Sequence, residues 1–230
     1  MISRSHQFLY IHIPKTAGTA LAAELARYCS PRTWLARRGT QIRGIRSLIV
    51  GAVGHDPVKQ LTGLDAHASY SETVEKYGAR DIEALYSFGV IRNPFVRAVS
   101  VFEHMQKAKG HPKHEDMRPK TFNQVLPSLL EDGWFQQAFM VADLDSESVL
   151  VGELVAYETL KDGLAALSQK LKLPRPLEMK PRNVSAAKRR NIEAAFAGYV
   201  DQFVEALAAD FRILGYSTDP SRAYEPPQRR

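Results

Sequence analysis

Phe8-Leu9-Tyr10-Ile11-His12-Ile13-Pro14-Lys15-Thr16-Ala17-Gly18-Thr19-Ala20-Leu21 is the stretch from which the rest of the chain is read. Phe8 to Ile13 is short, apolar and rich in aromatic and β-branched residues, which is the composition of a strand buried on both faces. Pro14 ends it, since proline brings no N–H to a ladder. Lys15 to Thr19 is a turn of small and polar residues, and Ala20 to Tyr28 is rich in helix formers. The unit recurs. Leu85 to Ile91 (LYSFGVI) reads as a second buried strand. Arg92-Asn93-Pro94 follows, with Asn93 as N-cap and Pro94 at the first helical position. That helix runs through about Lys107, with Phe95, Val99 and Phe102 on one face. Two strand-turn-helix units among many helices imply an α/β fold: an open, mostly parallel central sheet flanked by helices.

Between and beyond these units the pattern is helical. Ser30 to Asp65 carries Arg32, Arg37, Arg38, Arg43 and Arg46 and reads as a long, partly irregular excursion with one apolar stretch, Leu48 to Val53. Its arginines either receive an anionic polysaccharide or solvate the surface. Ser69-x-x-Glu72 has the form of a capping box for a helix to Tyr77. Gly110 to Lys120 is a polar loop, Thr121-x-x-Gln124 opens a helix, and Gly133 to Val141 reads as another. Val149 to Val151 and Leu154 to Tyr157 are short strands, and Asp162 to Leu171 is a helix. Pro174 to Asn183 is a basic connector. Ser185 caps a helix to Phe196, and a last helix from Val200 to Leu214 stops at Gly215. Residues 1–216 form a single domain, and 217–230 read as a flexible tail.

The totals bound the function. The chain has 230 residues and one cysteine, Cys29, so an intramolecular disulfide and a multi-cysteine metal site are both excluded. Cys29 reads as a small buried residue near a helix end. The formal net charge of +6 favours anionic partners without choosing among them. No apolar run is long enough to cross a bilayer, and Met1 to Gln7 lacks the apolar core of a signal peptide. The expectation is a soluble, cytoplasmic protein.

In an open parallel sheet, ligands bind beyond the C-terminal ends of the strands. Pro14 to Thr19 lies at such an end. Its small residues let backbone N–H groups approach a ligand, the helix N-terminus favours an anion, and Lys15, Thr16 and Thr19 add a cation and two hydroxyls. The physics points to phosphate or sulfate. It is not a Walker A loop, because Lys15 precedes Gly18 and the chain has no Gly-Lys-Ser/Thr.

Ile11 to Leu21 resembles the 5′-phosphosulfate loop of sulfotransferases that use 3′-phosphoadenosine 5′-phosphosulfate (PAPS). It is most similar to the carbohydrate group that includes heparan sulfate 2-O-sulfotransferases and bacterial relatives. Val90 to Ser100 is similar to that family's 3′-phosphate motif. Arg92 and Ser100 match the residues that hold the phosphate, and Arg97 also matches. Ala66-His67-Ala68 resembles the family's histidine segment, Tyr157-Glu158-Thr159-Leu160 its E-x-L, and Asp210 to Tyr216 its closing helix. Ala17 stands where many relatives carry glycine.

The resemblance implies a P-loop-NTPase-like three-layer fold and in-line sulfuryl transfer from PAPS, leaving 3′-phosphoadenosine 5′-phosphate (PAP), to a hydroxyl of a sugar or polysaccharide. Lys15 to Ala20, Arg92 and Ser100 are the cofactor-binding residues it implies, with Arg182 and Asn183 closing over the adenosine. Lys15 stabilises the leaving oxygen. The base is His67 by its segment or Glu24 by its place on the first helix. His12 is expected in the core. No metal and no nucleic acid is expected. The alternative is a nucleotide-dependent phosphotransferase on a related fold, which the missing Gly-Lys-Ser/Thr disfavours.

Overall fold

The structure is a computed structural model and describes residues 1–42, 45–53, 56–178 and 191–228. Its strands are β1 (Ile2–Ser3), β2 (Phe8–Ile11), β3 (Tyr86–Ile91), β4 (Ala142–Asp143), β5 (Ser148–Val149) and β6 (Glu153–Ala156). Its α-helices are α1 (Gly18–Leu25), α2 (Pro31–Arg37), α3 (Ile45–Val53), α4 (Pro57–Thr62), α5 (Tyr70–Tyr77), α6 (Ala79–Glu83), α7 (Pro94–Lys107), α8 (His114–Met117), α9 (Phe122–Glu131), α10 (Leu160–Lys170), α11 (Ile192–Ala195), α12 (Val200–Ala206) and α13 (Ala208–Leu214). The central sheet has the order β1-β2-β3-β6, and β4 and β5 form a separate hairpin. β2, β3 and β6 run parallel, and β1 is antiparallel at the edge.

Alternation along the strands builds the layers. Phe8, Tyr10, Phe88 and Val90 pack with Leu21 and Leu25 of α1 and Leu164 and Leu167 of α10. Leu9, Ile11 and Ile91 face the other way, onto Phe95 and Val99 of α7 and the aromatic cluster around Phe203. The sheet is therefore covered on both faces, as parallel strands require. Ile11 pairs with Gly89 across β2 and β3, so the loops after both strands leave the same edge of the sheet.

Local capping follows the sequence where capping residues are present. Ser69 N–H donates to Glu72 Oε2 (2.7 Å) and Glu72 N–H to Ser69 Oγ (3.2 Å), which completes the box at α5. Asn93 Oδ1 accepts from Phe95 N–H (3.0 Å) at the start of α7.

Five stretches differ from the sequence reading, the first being Gly110 to Lys120, which holds the short helix α8 with His114 and Met117 buried. The excursion after Ser30 is helical, with α2 capped by Ser30 and α4 by Asp56. These helices are too short for periodicity to declare them. The helix expected over Gly133 to Val141 is only a 3₁₀ turn at Ala138–Met140. Gly133 is left-handed (φ 69°), and the Asp210 carboxylate takes the N–H groups of Gln137 (3.0 Å) and Ala138 (2.8 Å). The closing helix breaks at Leu207 into α12 and α13. Phe203 and Phe211 would stand about 12 Å apart along a straight helix. Both rings instead lie 5.1 Å from the ring of Phe95. Residues 216–228 are not frayed: Ala223 is fully buried, and Gln228 N–H donates to Gly215 O (2.8 Å). The start of the helix expected from Ser185 lies outside the described residues. The part within them, α11, is capped by Asn191.

Candidate active site

The loop from His12 to Ala17 carries the chain from β2 into α1. Lys15 (φ 68°) and Ala17 (φ 66°) both adopt the left-handed conformation, which costs a non-glycine residue about 1–2 kcal/mol each. This explains why glycine suits the place that Ala17 occupies. Ala17 caps α1 without a side-chain bond, and the first turn has no acidic residue. The helix N-terminus thus stays available to an anion.

Gly18 is needed for a different reason. A Cβ there would fall 1.9 Å from His12 Cδ2 and 2.1 Å from His12 Nε2, so α1 starts directly on the imidazole. Thr16 is buried, and its hydroxyl donates to Ile13 O (2.9 Å). Its side chain braces the loop, which leaves its backbone as the part free to face a ligand. Thr19 is exposed and Ala20 half-buried.

The second motif closes on the first. Arg92 Nη1 donates to Lys15 O (3.2 Å) across 77 residues of sequence, and its guanidinium lies 4.2 Å from the centre of the Tyr157 ring. The backbone of Arg92 is gripped at both ends by the buried amide of Gln137, which accepts from Arg92 N–H (3.3 Å) and donates to Arg92 O (2.7 Å). Next to it, Asn93 N–H donates to Glu158 Oε1 (2.9 Å), and Tyr216 donates to Glu158 Oε2 (2.8 Å). Burial raises the Glu158 pKa against these bonds. Arg97, 2 % exposed, donates to Pro14 O (3.0 Å) and Phe135 O (2.6 Å). Burial pulls its pKa down to about 10 with Asp210 opposing, so it stays cationic at neutral pH. Ser100 is half-buried on α7. His104, a turn further on, is lowered by burial and then by the nearby Lys15 cation.

His67 stands on the other side of the loop. Its Nδ1 lies 2.8 Å from His12 O. A carbonyl only accepts, so Nδ1 carries the proton and Nε2 keeps its lone pair. Burial lowers the His67 pKa, helped by the cations Arg37 and Arg97 and opposed by the His12 bond and Asp65. His12, expected in the core, is buried but sits 4.4 Å from the His67 ring, centre to centre, and accepts from Arg37 Nη1 (3.2 Å) through Nδ1. His67 opens onto a cleft of about 310 Å³ that it lines with Pro14, Arg97, Trp134, Gln136 and Phe139.

Glu24 ion-pairs with Arg27, just past the end of α1. Arg182 and Asn183 lie outside the described residues. Sequence reasoning missed Gln137 and Arg37, and named Tyr157 only as the residue that opens the E-x-L segment. No motif announces Gln137, and Arg37 looked like one basic residue among several. Among the described residues, no group of three or more His, Cys, Asp or Glu could hold a metal, and no helix is long and apolar enough to cross a membrane.

An uncapped helix N-terminus with a lysine and an arginine, at the C-terminal edge of a parallel sheet, gives this α/β protein a place suited to a phosphate- or sulfate-bearing ligand. The chain belongs to the sulfotransferase family, whose family model matches residues 1–216. No curated protein and no solved structure matches it.

Proposed function

We propose that this sulfotransferase uses PAPS as donor on a P-loop-NTPase-like fold and sulfates a hydroxyl of a carbohydrate. The observation that carries the reading is the bond from Arg92 to Lys15 O, which joins the two motifs into one site. Bound PAPS supplies an activated sulfuryl group and leaves as PAP. Lys15 and the backbone of Thr16 to Ala20 receive the 5′ end at the N-terminus of α1, where the cation and the helix dipole stabilise negative charge. Arg92 and Ser100 hold the 3′-phosphate. Stacking on Tyr157 and the grip of Gln137 pre-orient the arginine fork, which is suited to two phosphate oxygens. His67 Nε2 takes the proton of the acceptor hydroxyl, and its lowered pKa keeps it neutral at pH 7. Trp134 and Phe139 in the His67 cleft give a sugar ring apolar faces to lie on. Glu24, tied to Arg27, is the weaker candidate for the base.

Calorimetric titration with PAP, ATP and adenosine 5′-phosphosulfate tests the donor. Micromolar PAP binding that needs the 3′-phosphate is expected. Arg92→Ala should weaken it about 10- to 100-fold, the worth of a hydrogen-bonded charge. Tighter binding of ATP than of PAP would sink the reading and bring the phosphotransferase forward.

A further inference from the structure

Apart from the His67 cleft, the chain forms a second, partly open cavity of about 570 Å³, to which the proposed function assigns no role. Arg37 and Thr33 of α2, His12, and Ala66 and Ala68 on either side of His67 contribute to its wall. Arg37 is 9 % exposed. It donates to His12 Nδ1 (3.2 Å) and Ala66 O (3.1 Å), while its Nε–H has no partner. Both acceptors are neutral, and among the described residues no carboxylate pairs with it. Asp65 and Asp56 act on it only at longer range, and burial lowers its pKa. A buried guanidinium without a counter-anion is costly, and its planar fork is suited to a carboxylate. The exposed Arg32, also in the wall, adds a second positive charge. Leu61, Leu64 and Ala68 give the wall an apolar side, and Asp65 and Arg4, one charge of each sign, line it as well. The volume lies within the range of small-molecule sites.

We infer that this cavity is a binding site for a small organic carboxylate, with the carboxylate on Arg37 and the apolar body against Leu61, Leu64 and Ala68. The inference stands apart from the sulfuryl-transfer reading. The two meet at one place only: Arg37 also holds Ala66 O and the His12 ring, so the ligand's charge would lie one residue from His67.

Cys29 gives a local readout, because it is the chain's only cysteine and lines the cavity. Burial pushes its thiol up to about 11, so alkylation by N-ethylmaleimide at pH 8.5 will be slow enough to time. The full chain, with and without saturating PAP, is titrated with acetate, butyrate, hexanoate and benzoate against matched sodium chloride. Labelling rate and melting temperature are both followed. At ten times its Kd, a carboxylate that fits should slow labelling about tenfold and raise the melting temperature, and the longer acids should act at lower concentration than acetate. Arg37→Met should lose both effects. If that variant does not fold, Ala68→Phe, which fills the cavity, should lose them instead. Labelling that no carboxylate slows beyond the chloride control, or equal protection in the variants, overturns the inference. PAP binding measured in the same samples shows separately whether the donor reading stands.

Discussion

Gly18→Ala sets two effects of opposite sign against each other. At an ordinary helical position, alanine stabilises by about 1 kcal/mol relative to glycine. Gly18 is not ordinary: the added methyl would sit 1.9 Å from His12 Cδ2, against an ordinary contact of about 3.5–4.0 Å. Something must move by roughly 2 Å. The His12 ring cannot yield easily, because Arg37 holds its Nδ1, Tyr10 stacks 5.9 Å away and the His67 ring lies at 4.4 Å. Overpacking of this kind costs about 1–3 kcal/mol, with more expected where the neighbours are pinned. The clash should win by about 1–2 kcal/mol net, which for a chain of this size lowers the melting temperature by about 2–8 °C. PAP affinity should fall too, since α1 can relieve the overlap only by lifting the loop. Thermal denaturation and PAP titration of the purified variant measure both. A variant as stable as the parent, or more stable, with unchanged PAP binding, would refute the close approach of α1 to His12 and the rigidity assigned to the loop.

Three other outcomes are expected. Ala17→Gly relieves a left-handed alanine (φ 66°) and should stabilise by up to about 1 kcal/mol with PAP binding kept, as denaturant titration would show. His67→Asn keeps an N–H for His12 O but has no base, so kcat should drop about 10²- to 10⁴-fold with PAP affinity unchanged. The parent's rate should be flat at pH 7 and fall only below pH 6.5, as His67 protonates through its lowered pKa, and the variant should lose that limb. Arg97→Met strips a buried cation from two carbonyls and from Asp210 and should cost about 3–5 kcal/mol by chemical denaturation.

The fold's frame was legible because it rests on local signals: buried strands ended by Pro14 and by Arg92-Asn93-Pro94, and caps at Ser69 and Asn93. The short helices after Ser30, the break at Leu207 and the loss of a helix before Val141 were not legible, because distant partners decide them. Asp210, for example, captures the N–H groups of Gln137 and Ala138 from more than 70 residues away. The site divides in the same way. Lys15, Arg92 and His67 stand in recognisable segments, and the structure puts Arg92 on the Lys15 carbonyl. The groups that hold them, Gln137, Tyr157, Arg37 and the His12 carbonyl, are ordinary residues whose roles depend on where the chain brings them.

The two bonds of Arg97 reach two segments far apart in sequence, at Pro14 and at Phe135. On the proposed reading, Pro14 belongs to the loop that receives the donor and also lines the His67 cleft, and Phe135 follows Trp134, which lines that cleft too. One buried guanidinium therefore fixes the gap between these two segments and, on the proposed reading, acts as a spacer in the site. Near-attack geometry is so sensitive that a 1 Å error costs about 10²-fold in rate. If the acceptor is a sugar, as proposed, regiochemistry would follow: among several hydroxyls on one ring, the one sulfated would be the one the spacer's length brings into line, even where a neighbouring hydroxyl is the more reactive.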